Sequence, residues 1–121
     1  MRRILSTIIA ILTIIFLLQG CSFQKNNEIT RDMAYDGVNN YCHENYDWTV
    51  AENNPSIMYV EVGNETDTEY QIIFHSYTGA LVYFYVNKSD GKTKVTEYVP
   101  TLNIKNDLES INIYDYLDKK N

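Results

Sequence analysis

Two histidines, two cysteines and sixteen carboxylates carry what this 121-residue chain offers for binding a metal, moving a proton or attacking a carbonyl. His43 and Asp47 stand four apart with Glu44 next to the histidine, a spacing that sets both on one side of a helix. A metal site built from them lacks a third ligand, and a solvated helix face is the plainer reading. His75 lies among tyrosines, where an imidazole that titrates near neutrality can carry a proton. A lone strand histidine more commonly serves as a hydrogen-bonded surface or half-buried group. Glu61, Glu65, Asp67 and Glu69 crowd one turn without the ligand pattern of an EF-hand loop, so a solvated acidic loop is set against loose calcium binding. The chain has no nucleophile elbow, no phosphate-cradling glycine loop, no His-Glu-x-x-His and no Cys-x-x-Cys. The expectation is a protein without catalytic residues, metal or cofactor, and therefore not an enzyme.

The cysteines say more about location than about reactivity. Met1-Arg2-Arg3 precedes an apolar run from Ile4 to Leu18, broken only by Ser6, Thr7 and Thr13. A basic start followed by a short apolar stretch is the pattern of an export signal. The run falls short of the roughly 20 residues that a helix needs to cross the hydrocarbon core. Leu18-Gln19-Gly20-Cys21 then resembles the lipobox of bacterial lipoproteins, with glutamine at a position where small or β-branched residues are commoner. The resemblance implies a diacylglyceryl group on the Cys21 sulfur, cleavage before Cys21 and fatty acylation, palmitate among the acyl groups, at the new amino terminus. It divides the chain into a signal peptide (1–20), a lipid-anchored tether (21–27) and a small domain (28–121). Two or three acyl chains hold a protein stably at a membrane. The implied location is extracytoplasmic, on a bacterial cell membrane, and Ser22 also permits the outer membrane of a two-membrane cell.

Without Arg2 and Arg3, the mature chain has eight basic residues against sixteen acidic ones, a net charge of −8. Ten carboxylates and one base lie between Glu28 and Glu69; Tyr70 to Lys105 carries two acids and four lysines. Nucleic acid, which demands a basic stripe, is excluded as a partner by this balance, and a flat pose on anionic lipid is disfavoured. Solubility and repulsion from the membrane explain it, and a basic protein or peptide partner would suit it. Once Cys21 is alkylated, Cys42 stands alone, so no disulfide framework exists within one chain. A free helical cysteine is a small buried hydrophobe more often than a reactive or intermolecularly paired thiol.

The elements that must position these residues follow from periodicity. Ile29, Met33, Ala34, Val38, Tyr41, Cys42 and Tyr46 recur at three and four, which predicts a helix over 28–46. Gly37 within it costs about 1 kcal/mol relative to alanine. Asp47 to Pro55 reads as a break. Strand-like segments then span 56–62, 68–77, 80–86 and 93–99, joined by short turn sequences such as Thr78-Gly79 and Asp90-Gly91. Short loops between consecutive strands imply an antiparallel meander. The fold class is α+β, one N-terminal helix packed on a four-stranded antiparallel meander sheet. The segment 102–117 reads either way: Ile111 and Ile113 alternate as in a strand, whereas Asp107 could cap a helix carrying Leu108, Ile111 and Tyr114.

The stretch Tyr70-Gln-Ile-Ile-Phe-His-Ser-Tyr-Thr-Gly-Ala-Leu-Val82 is similar to the strand-turn-strand element of PepSY-type domains, matching at Tyr70, Ile72, Phe74, Thr78, Gly79 and Leu81. His75 stands where that family has aspartate, and Tyr77 where it is polar. The order of helix and meander also resembles cystatin-like folds. These resemblances imply a small inhibitor or regulator of an envelope protease.

Alternation sorts the strands into two faces. Met58, Val60, Val62, Tyr70, Ile72, Phe74, Val82, Phe84, Val86, Val95 and Val99 form the expected core beneath the helix. The opposite set holds Ile57, Tyr59, Ile73, His75, Tyr77, Leu81, Tyr83, Tyr85 and Tyr98. Tyrosine offers a broad apolar body with a polar rim at small entropic cost, which suits recognition. It also favours strands and pairs across them, and the C-terminal segment could cover this face. Tyr59, His75, Tyr77, Tyr83 and Tyr85 are the candidate binding residues of a non-catalytic interaction module tethered at Cys21, with protease regulation as the alternative.

Overall fold

The computed structural model describes residues 28–118; the expected signal peptide and tether, including Cys21, lie outside them. Thr30 starts the helix α1 (Arg31–Asn45). Its hydroxyl accepts from the Met33 N–H at 3.2 Å, which satisfies a donor that the first turn leaves without an intrahelical partner. Residues 28–30, expected inside the helix, precede it. Ile29 is buried there, its N–H donating to the Lys88 carbonyl at 2.8 Å. Ala34, Gly37, Val38 and Cys42 make the buried stripe of α1. The helix stops where Tyr46 turns extended and donates to the Cys42 carbonyl. The expected break contains two short 3-10 turns, Thr49–Ala51 and Pro55–Ile57.

Four strands follow as the alternation requires: β1 (Tyr59–Glu65), β2 (Glu69–His75), β3 (Leu81–Asn87) and β4 (Lys92–Val99). Each pairs antiparallel with the next. β1 runs on through Gly63 and Asn64, expected as turn, with a register shift between Val62 and Glu65. Pro100 ends β4, as a residue without an N–H should.

Among the described residues the sheet has six strands, not four. β5 (Ile104–Asp107) and β6 (Ile111–Asn112) both pair antiparallel with the outer edge of β4, β5 along Thr96–Val99 and β6 along Lys92–Thr93. The C-terminal segment is therefore strand, and Asp107 ends β5 rather than capping a helix. The free edge of β4 decides it: the Leu108 N–H donates to the Val95 carbonyl and the Ile113 N–H to the Gly91 carbonyl. A final 3-10 turn (Ile113–Tyr116), capped by the Asn112 side chain, folds back onto α1.

The core lies between α1 and one face of the sheet, with Ile72, Phe74, Val82, Phe84, Val86, Val95 and Ile113 fully or almost fully buried. Tyr46 stacks on Phe74 at 4.6 Å and Trp48 tilts against it at 5.6 Å. Val62, expected in the core, is 40% exposed, because it lies beside the bulge on an edge strand. Val99, at the end of β4, is half-buried. Gly37 has a packing purpose that offsets its helix cost: a Cβ there would stand 2.4 Å from Ile113 Cγ1. Only a bare backbone lets the C-terminal turn seat so closely. Among the described residues, no helix is long and apolar enough to cross a membrane.

Candidate functional site

Among the described residues no element covers the side of the sheet opposite α1, because the C-terminal strands widen the sheet instead of folding over it. Register lays its side chains in cross-strand rows. One row runs Tyr59, His75, Leu81, Tyr98, Lys105; the next runs Glu61, Ile73, Tyr83, Thr96, Asp107. A third holds Gln71, Tyr85 and Lys94, with Glu69 and Asn87 beyond it. Four of the five expected binding residues, Tyr59, His75, Tyr83 and Tyr85, thus share one surface. Tyr77 does not: β2 ends at His75, and Tyr77 occupies the Ser76–Ala80 turn, 56% exposed at the sheet's end. Ile57 likewise lies in a 3-10 turn before β1.

The rings on this face hold one another. Tyr59 stacks on His75 with centroids 4.2 Å apart, and His75 Nε2 lies 3.0 Å from Glu61 Oε1. Tyr83 and Tyr85 stack at 6.3 Å along β3. Lys105 places its ammonium 5.7 Å from the Tyr98 ring centre, within cation–π range. The Gln71 carbonyl oxygen accepts from the Asn64 N–H at 3.0 Å, over Gly63, where a Cβ would stand 2.5 Å from it. Two shallow depressions, about 260 and 430 Å³, meet at Glu69 and Tyr85. The result is a broad, gently ridged aromatic platform with polar neighbours.

Charge divides this platform about its central strand. β1 and β2 contribute Glu61 and Glu69; β4 and β5 contribute Lys92, Lys94 and Lys105 against Asp107; β3 contributes no charge. Sequence reasoning overlooked Gln71, Lys94 and Thr96, although the same alternation that gave the tyrosines points to them. Lys105 and Asp107 were out of reach while β5 was unassigned.

The other candidate chemistry disperses. His43 stacks flat on Trp48 at 3.9 Å, and burial lowers its pKa. The Asp47 carboxylate accepts from the Thr49 hydroxyl and N–H, which lowers its pKa. Glu65 is held by Lys88 at 2.8 Å and Arg31 at 3.1 Å, and these hydrogen bonds lower its pKa, Lys88 contributing most. It ties α1 to the loops at one end of the sheet, while Glu61 turns to the open face. Among the described residues, no three His, Cys, Asp or Glu side chains gather as a metal site. Cys42 is fully buried, and desolvation pushes its thiol pKa far up, the setting of an inert cysteine. Comparison with family models, curated proteins and solved structures finds no match for this chain.

Proposed function

We propose that this chain is a non-catalytic binding module, exported and held at an extracytoplasmic bacterial membrane surface by lipid on Cys21, and that it engages a protein or peptide partner through the open sheet face. One observation carries the reading: a row-ordered platform of Tyr59, His75, Tyr83, Tyr85 and Tyr98 that no described element covers. Rings already stacked on each other lose little freedom when a partner lands on them. Mixed charge at the margins supplies orientation. The Leu18-Gln19-Gly20-Cys21 motif supports the anchor.

The test uses the full chain in its native envelope, with a benzophenone side chain at position 98 as photo-crosslinker. A covalent adduct is expected on irradiation. Changing Tyr83 and Tyr85 together to serine should weaken association by about 100-fold or more, as loss of two central aromatic anchors does. The adduct should vanish while the circular dichroism stays that of the folded protein. An adduct of equal yield in the serine variant removes this face from consideration.

A further inference from the structure

We infer that the partner of the open face is a second copy of this chain, related by a two-fold axis parallel to β3. This rests on the reading of that face as a binding surface and adds the identity of what binds. The first support is the charge layout. β3 is the middle of the five-strand path β1-β2-β3-β4-β5. On the open face the acids Glu61 and Glu69 lie to one side of it, and Lys92, Lys94 and Lys105 to the other, with Asp107 among them and Asp90, in the β3–β4 turn, lining the same depression as Lys92 and Lys94.

Rotation about an axis along β3 sets each copy's β2 over the other's β4, and β1 over β5. Glu69, next to Asn87, then meets the opposing Lys92, which adjoins Asn112 at the same level of the sheet. Gln71 meets Lys94, Tyr59 meets Lys105, and Tyr83 and Tyr85 meet their own counterparts at the axis. Like charges face each other only at the margin, Glu61 against Asp107, where Asp107 accepts from Thr96. An axis across the strands would instead lay β4 on β4 and β2 on β2, lysine on lysine and glutamate on glutamate, which repels. Isologous, self-complementary contact is what two-fold pairing requires, and aligned face-to-face packing is an ordinary arrangement for two twisted sheets.

The second support is where the chain joins the sheet. The Ile29 N–H donates to the Lys88 carbonyl, so the N-terminal segment arrives at the β3–β4 turn, at one end of the strands. An axis parallel to β3 leaves this end of both copies pointing the same way. Two copies anchored through Cys21 in one membrane can then meet face to face. The crosswise axis would point the two anchors in opposite directions. Charge and tether select the same axis independently.

The experiment reconstitutes the full chain, carrying either of two epitope tags, in phosphatidylcholine vesicles and in detergent micelles, and reads co-capture together with the sedimenting mass. Wild type is expected to co-capture and to sediment at twice the chain mass. Glu69→Lys alone, and Lys92→Glu/Lys94→Glu alone, should each lose self-association by about tenfold or more. Mixing the two variants should restore it, an outcome that misfolding of either would prevent. Wild type that stays monomeric in both media, or two variants that fail together although each gives the folded circular dichroism spectrum, overturns the inference. If the position-98 crosslinker yields an adduct with a different protein only, the second copy is ruled out and the binding face stands. Absence of any adduct, combined with monomeric wild type, defeats both.

Discussion

Ile113 and Gly37 form a contact whose energetics reverse sign with its partner. Ile113 is fully buried, and its side chain fills the space that a Cβ on Gly37 would occupy, with Cγ1 at 2.4 Å and Cδ1 at 2.6 Å from that point. Ile113→Ala removes three carbons against a wall of helix backbone that cannot collapse inward. Transfer and cavity contributions together put the loss at about 3–4 kcal/mol. Gly37→Ala alone overpacks the site by about 1–3 kcal/mol, offset by about 1 kcal/mol of helix propensity, for a net loss of up to about 2 kcal/mol. In the Ile113→Ala background the clashing carbons are gone and the Ile113 carbonyl oxygen at 3.3 Å is tight but accommodated. There Gly37→Ala should stabilise by about 1–2 kcal/mol, from propensity and one buried methyl.

Urea unfolding followed by the fluorescence of Trp48, the chain's one tryptophan, measures the cycle. With a urea slope of about 1–1.5 kcal/mol/M, Ile113→Ala should lower the midpoint by about 2–4 M. A coupling of about 1–4 kcal/mol between the sites is expected. Equal destabilisation by Gly37→Ala in both backgrounds would refute the shape argument and return Gly37 to an ordinary helix-weakening residue.

Thiol reagents should leave Cys42 unmodified in the folded protein and label it at the rate of unfolding, since its thiol is buried and held protonated; rapid labelling under native conditions contradicts this. His43 should make stability depend on pH in a definite direction. Burial lowers its pKa in the folded state, so as pH falls below about 6.5 the unfolded chain takes up the proton first. Stability contributed by this group is therefore complete above that value, declines as pH falls through the window, and levels off once the folded state also protonates. His43→Phe keeps the ring against Trp48 and should flatten the difference between pH 7.5 and 5 in unfolding midpoints; an unchanged slope assigns the dependence elsewhere. Cys21→Ala should abolish lipid labelling and leave the leader attached, and a variant of diacylated mature mass would exclude Cys21 as the anchor.

Much of the sheet was legible because β2 and β3 are flanked on both sides, so burial imposes strict alternation on Tyr70 to Phe74 and on Val82 to Val86. β5 left no such trace. All four of its residues are exposed, and its extended state is set by the free edge of β4. Tyr77 was placed on the face by extending that alternation two residues too far, through a turn that Gly79, at φ 88°, makes possible. The purpose of Gly37 was invisible for another reason: the residue that demands it lies 76 positions later, and local propensity registers only the cost. Tyr59, Tyr83, Tyr85 and Tyr98 do lie on the face that alternation gave them, whereas the charge symmetry about β3 depends on register and on β5, neither of which periodicity supplies.

The junction between α1 and the last 3-10 turn also orders events in time. Asn40 donates to the Tyr116 carbonyl at 2.7 Å, and Ile113 seats on Gly37, so the helix is closed by residues made 76 positions later. At about 5–20 residues per second, roughly 4–15 s of synthesis separate the two. During that interval the Gly37 side of α1 lacks the cover that Ile113 gives it. On the export proposed above, the delay would leave this junction unlocked until Ile113 has emerged from the ribosome.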